Sequence, residues 1–201
     1  MWIDYVRSFF KLSPLQIIAL TAYGEARGEG KIGMQAVINV IHNRRLHPPQ
    51  YFQDSDILEE TGSPYHAVCL KKYQFSSYNL GDPQRGILLR LSDPNTFDAE
   101  LQNNLSLRRA WEVCQDLAAG RLTEITGGAD HYFATYIKRP DWTKGMVYRT
   151  TIGNHEFWSD PPHISEQPQV FRPEKTLTIT PTEELLKVVV PSTIAGTIPP
   201  L

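Results

Sequence analysis

The sequence predicts an α+β chain, mainly helical, with a small β-hairpin region near residue 150 and an extended arm at its C-terminal end. Three observations carry this expectation. Apolar residues recur at three- and four-residue spacing in the segments from Ser13, Lys31 and Ser106. Gly153-Asn154 separates two β-prone segments between Val147 and Trp158. From Ser159 onward the composition shifts, and more than half of the chain's 15 prolines lie there. The expected division is a domain over residues 1–158, opened by an amphipathic segment at 1–12, and an extended proline-rich arm over 159–201.

The N-terminal MWIDYVRSFFKL places Trp2, Tyr5, Val6, Phe9 and Phe10 on one face of a short amphipathic helix. Asp4 and Arg7 interrupt it and no small-residue cleavage site follows, so it does not read as a signal peptide. The helix from Ser13 is the centre of the chain. Ser13 is placed to cap it, Pro14 suits its first position, and Gln16 completes a capping box. Ile17 to Tyr23 is apolar nearly all round, which predicts a buried helix. Leu15, Ile18, Ala22 and Glu25 fall on one face, so a carboxylate continues an apolar stripe. Gly24, Gly28 and Gly30 around it predict close backbone approach and the helix end. Burial without a cation disfavours a charged carboxylate. Glu25 is then a candidate proton donor, the alternatives being a pair with Arg27 or a distant arginine, or a solvated helix end.

A second amphipathic helix spans Lys31 to Leu46. Its apolar face is Met34, Val37, Ile38 and Ile41, and its polar stripe is Gln35, Asn39 and His42. His42 and His47 read as surface residues. Residues 50–66 read as an irregular connection with a helical piece near Ile57. Gln74, Phe75, Ser76, Tyr78 and Asn79 then bring amides and hydroxyls among aromatics, the combination a carbohydrate groove requires. Residues 80–104 read as a long loop with a short helix near its end. Leu107, Ala110, Trp111, Cys114, Leu117 and Ala118 define the next helix, and Gly120 closes it. Tyr132, Phe133 and Tyr136 alternate with small or polar residues, as in short strands. Beyond Ser159, TLTIT alternates as an extended strand does, and LLKVVV is an apolar run.

Composition excludes several classes. A formal net charge of −2 and the lack of basic runs argue against nucleic-acid binding. No stretch approaches the roughly 20 apolar residues of a membrane span. Two cysteines, Cys69 and Cys114, read as core thiols rather than a disulfide framework. The histidines lack zinc-ligand spacing, although His131 and His155 are far enough apart in sequence to meet in space. No metal or cofactor is called for.

With these pieces in order, the chain resembles the cell-wall hydrolase family typified by the spore-cortex-lytic enzyme SleB, over Leu15 to Trp158. The resemblance rests on Tyr23-Gly24-Glu25-Ala26-Arg27-Gly28-Glu29, then Gln74-Phe75-Ser76, then Gly127-Gly128-Ala129 with His131-Tyr132-Phe133, then Trp142, then Ile152-Gly153-Asn154-His155 with Phe157. It implies a lysozyme-like, mostly helical domain that cleaves peptidoglycan glycan strands, with Glu25 as the catalytic acid and Glu29 structural. The matching positions Tyr23, Gln74, Phe75, Ser76, Asp130, His131, Tyr132, Trp142, Asn154 and His155 are the candidate substrate-binding residues. Two departures stand out. Asp130 sits where the family more usually has an uncharged residue, and residues 80–104 look inserted.

The leading expectation is a lytic transglycosylase acting on the β-1,4 bond between N-acetylmuramic acid and N-acetylglucosamine. A glycosidase that uses water needs a second carboxylate. Asp130 is the candidate for that role, with Asp141 behind it. The alternatives are a hydrolytic muramidase on the same site, or an inactive lysozyme-like structural part of a phage tail. A metal-dependent amidase using His131 and His155 is a further rival. The missing signal and wall-binding repeats point to a phage protein made in the cytoplasm of a bacterial host. It would then be released to the wall as an endolysin or carried in the virion, with residues 159–201 as a possible contact to phage structural proteins.

Overall fold

The computed structural model describes residues 2–161. Helix α1 (Trp2–Val6) and a 3-10 turn at Arg7–Phe9 lead into α2 (Pro14–Ala26). The Ser13 hydroxyl accepts from the Gln16 N–H while the Gln16 side chain accepts from the Ser13 N–H, the expected reciprocal cap. Every residue from Leu15 to Tyr23 is buried, as an all-round apolar helix requires. Helix α2 packs against α3 (Gly30–Leu46), α6 (Pro64–Cys69) and α9 (Leu105–Ala118), which together hold the core. Cys69 and Cys114 lie in that core as free thiols. Gly120, at φ +67°, follows the end of α9.

Two segments read as largely irregular are more helical than expected: the helical pieces near Ile57 and near the end of 80–104 are present, and further helices accompany them. Residues 50–66 fall largely in α4 (Pro49–Phe52), α5 (Ser55–Thr61) and the start of α6. Residues 80–104 hold α7 (Arg85–Arg90) and α8 (Pro94–Asn103). Asp54, Ser63, Asp93 and Asn104 each cap the helix that follows them. Polar, proline-rich sequence here marks frequent helix starts, since proline suits a first turn.

The polar stripe of α3 ties down the chain that leads to the sheet. Gln35 donates to the Thr123 carbonyl, Asn39 accepts from the Ile125 N–H, and Asn43 donates to the Ala129 carbonyl. His42 is not a surface residue. It is buried, with Nδ1 2.9 Å from the Tyr65 hydroxyl, and burial lowers its pKa to about 4. His47 is half-buried, beside Asp130.

Strands β1 (His131–Ala134), β2 (Val147–Ile152) and β3 (His155–Ser159) form an antiparallel sheet in the order β1-β3-β2. The β2–β3 hairpin turns at Gly153-Asn154, with Ile152 paired to His155. Strand β3 runs one residue past the expected domain end, and Ser159 is buried and paired with Val147. Phe157 packs with Ala36 and Val40 of α3 in a second small core. The expectations for TLTIT, for LLKVVV and for the arm beyond Pro161 lie outside the described residues.

Candidate active site

A cleft of about 440 Å³ opens between the C-terminal end of α2, the loop at 73–79 and the Asn154 end of the sheet. Glu25 lines it. The carboxylate is half-buried rather than fully buried, and donors meet both of its oxygens. Oε1 accepts from the Ser77 N–H at 2.7 Å, and Oε2 accepts from the Tyr132 hydroxyl at 2.8 Å. The Ser76 hydroxyl lies 3.3–3.4 Å from both. No cation stands within ion-pair distance of Glu25 among the described residues. Desolvation, and then the neighbouring Glu25 carboxylate, raise the Tyr132 pKa well above the usual 10. That side chain is therefore a neutral phenol, able to donate or accept.

The Ser77 N–H is free to point at Glu25 because it lies in a short 3-10 turn, Ser76–Tyr78. Buried Tyr78 pins the turn to α2: its hydroxyl sits 2.8 Å from Thr21 Oγ1, which donates to the Ile17 carbonyl. Gly24 permits the approach. A Cβ there would fall 2.8 Å from Ser77 Cβ and Oγ and 3.1 Å from Leu88 Cδ1 of α7. Gly28, by contrast, faces open space.

Arg44 joins the two walls. Buried in α3, it donates to the Asp130 carbonyl at 2.7 Å and to the Gln74 carbonyl at 3.4 Å, with its guanidinium over the Phe75 ring. Burial lowers its pKa, while nearby Tyr132, Asp130 and Glu25 oppose that shift. Nothing in the sequence pattern singled it out, because the pair Arg44-Arg45 in the last turn of a helix reads as surface.

Of the candidate substrate-binding residues, Gln74, Ser76, Tyr132, Asn154 and His155 line the cleft with Glu25. The other five are placed elsewhere. Tyr23 is buried, its hydroxyl accepting from Asn104. Phe75 is buried under Arg44. Asp130 is 1% exposed, with Oδ1 2.6 Å from His131 Nδ1 and Oδ2 3.1 Å from His47 Nε2. Trp142 packs on His131 and Phe133. His131 and His155 do not meet. His155 pairs with Ala134, three positions along β1 from His131, which puts the two histidines on opposite faces. Asn79, from the same amide-rich stretch as Gln74, also lines the cleft, together with residues the sequence did not single out for binding, among them Glu29, Tyr73 and Tyr136. Glu29 Oε1 lies 2.8 Å from His155 Nδ1, so the second carboxylate of the cleft has an imidazole partner.

A model of the cell wall hydrolase family matches residues 28–158, a span that begins three residues after Glu25. Among solved structures, the chain is similar to the catalytic domain of the Bacillus cereus SleB protein. That likeness has 21% identity and a TM-score of 0.46, and covers 73% of this chain and 89% of the other. No curated protein matches the chain. Since the family match takes in well over half of its length, this chain belongs to the cell wall hydrolase family.

Proposed function

We propose that the protein cleaves peptidoglycan glycan strands at the β-1,4 bond between N-acetylmuramic acid and N-acetylglucosamine, as a lytic transglycosylase with Glu25 as acid and then base. The observation that carries this is the asymmetric cradle of one unpaired carboxylate. Oε1 faces a backbone N–H, which can only donate. Oε2 faces a phenol, which donates to a carboxylate and accepts from a carboxylic acid. Oε2 is thus the oxygen that carries the proton.

Protonated Glu25 gives this proton to the glycosidic oxygen as the C1–O bond breaks. The Glu25 carboxylate then takes the proton of the muramic acid 6-hydroxyl as that oxygen bonds to C1, closing a 1,6-anhydro ring. The acid is regenerated, and no water enters the balance. Hydrolysis needs a second free carboxylate to act on water or on C1. Asp130 is enclosed by two histidines outside the cleft, and Glu29 is paired with His155. This favours the transglycosylase over the muramidase. Gln74 and Asn154 supply amides at the cleft for sugar hydroxyl and acetamido groups.

The test is digestion of purified peptidoglycan with mass spectrometry of the new ends. Anhydro ends are expected, and Glu25→Gln should remove nearly all of them while leaving the fold intact. Reducing ends would install the muramidase, and no new ends the inactive structural component. We extend the proposal to the setting. The proline content and apolar runs of residues 159–201 fit an arm that binds a phage structural protein. The enzyme would then act from a virion, or as a lysin released to the wall.

A further inference from the structure

Tyr73 is the one residue other than glycine with positive φ among the described residues, at +66°. Left-handed backbone is disfavoured for a bulky side chain, and where it persists the surroundings impose it. Here it sits between α6 and the 3-10 turn that holds Glu25, at the rim of the cleft. The side chain gains little inside the protein in return. It is 73% exposed, with the Lys72 ammonium 4.9 Å from the ring centroid. Tyr136 is 80% exposed and also lines the cleft. It belongs to the other wall, in the turn after β1, where the Thr135 N–H donates to the Asn154 carbonyl at 2.7 Å. Of the aromatic candidates in the sequence motifs, Tyr23 and Phe75 are buried, Trp142 lies away from the cleft, and Tyr132 lines it with its hydroxyl committed to Glu25.

We propose that Tyr73 and Tyr136 are the sugar-stacking platforms of the cleft, one on each wall, and that they grip the glycan strand beside Glu25. A flat ring covers the apolar face of a pyranose, and its hydroxyl stays in water. The left-handed backbone at residue 73 turns the ring out of the buried row that Phe75 continues. This inference rests on the glycan-strand reading of the cleft and names the residues that hold that substrate.

The test uses Tyr73→Gly, Tyr73→Phe and Tyr136→Ala in the full chain. Binding to purified sacculi is measured in the Glu25→Gln background, with kcat, KM and Tm measured in the active enzyme. Glycine is at ease at φ +66°, so Tyr73→Gly should keep or raise Tm while weakening sacculus binding and raising KM about three- to tenfold, with kcat within about twofold. Tyr73→Phe should bind as the parent does. Tyr136→Ala should weaken binding to a similar extent at unchanged Tm. The same losses are expected on glycan strands stripped of stem peptides by an amidase. Unchanged binding by Tyr73→Gly and Tyr136→Ala, in a protein that binds and cleaves sacculi, overturns this inference alone. So does a fall in Tm without a fall in affinity, or a loss that disappears on peptide-free glycan. A parent protein that neither binds nor cleaves sacculi overturns both this and the proposed function.

Discussion

Gly24→Ala isolates the cradle of Glu25 from the acid itself. The added Cβ would stand 2.8 Å from Ser77 Cβ and Oγ, and 3.1 Å from Leu88 Cδ1. A relaxed contact between such atoms is about 3.5–4.0 Å, so the Ser77 turn must withdraw by about 1 Å. The Ser77 N–H now lies 2.7 Å from Glu25 Oε1. After that retreat the pair stands near 3.7 Å by the same rough arithmetic, beyond hydrogen-bond range. Two stability effects oppose each other. Alanine gains about 1 kcal/mol over glycine inside a helix, and overpacking costs about 1–3 kcal/mol. The net loss of about 0–2 kcal/mol corresponds to a Tm lower by about 0–8 °C for a domain of this size. Misplacement of a catalytic group by about 1 Å costs on the order of a hundredfold in rate. The variant should therefore fold, melt within a few degrees of the parent, and clear suspended peptidoglycan about a hundredfold more slowly. Clearance within about threefold of the parent would refute the claim that the Ser77 N–H fixes the acid.

Tyr132→Phe deletes the donor to Glu25 Oε2, a hydrogen bond to a charged group that is worth about 1.5–3 kcal/mol. A drop in kcat of about ten- to hundredfold with little change in KM is expected from initial rates, and an unaltered kcat would remove the phenol from the proton's path. Asp130→Asn disturbs the pairs with His47 and His131, so calorimetry should show a lower Tm while turnover below that temperature falls only modestly. A loss as complete as that of Glu25→Gln would instead favour the muramidase. Burial holds the pKa values of His42 and His66 down at about 4, against an ordinary 6.5. The unfolded chain therefore binds more protons between those values, and stability rises with pH across them. It is complete above pH 6.5 and falls by roughly 3 kcal/mol per histidine as pH drops to 4. Urea midpoints should follow that course, with a shallower slope in His42→Gln; a flat profile over this window would count against neutral buried histidines.

The helical centre was readable because its signals are local. The Ser13–Gln16 cap, the apolar run of α2 and the spacing in α9 act within a few residues, and the structure keeps all three. The Gly153-Asn154 turn is local in the same sense. Of the helices in 50–66 and 80–104, those near Ile57 and at the end of the second segment were legible, while α4, the start of α6 and α7 were not, because they are short. Propensity over one or two turns is weak, and what holds Ile57, Leu88 and Phe97 in place is burial against distant residues.

Which residues of a motif reach the cleft was decided by tertiary structure. Phe75 is a single extended residue between a turn and the 3-10 helix, and Gln74 and Ser76 line the cleft while Phe75 is buried between them. Likewise Tyr132 faces Glu25 while His131 turns to Asp130 and Trp142. A motif names such neighbours together, and its letters do not say which parity faces the acid. That choice belongs to packing: Phe157 of β3 packs on α3, which brings Tyr132 and His155 round to the same side as Glu25. Arg44 and Gly24 show the same division. The sequence placed both on helices, but only the fold brings the Gln74 and Asp130 carbonyls to one and Ser77 against the other. The sequence by itself determined the family, the buried helix that carries Glu25 and the turn of the hairpin. The second wall, the partners of each acid oxygen and the exposed Tyr73 and Tyr136 arise from contacts between segments 50 to 110 residues apart, which no local pattern encodes.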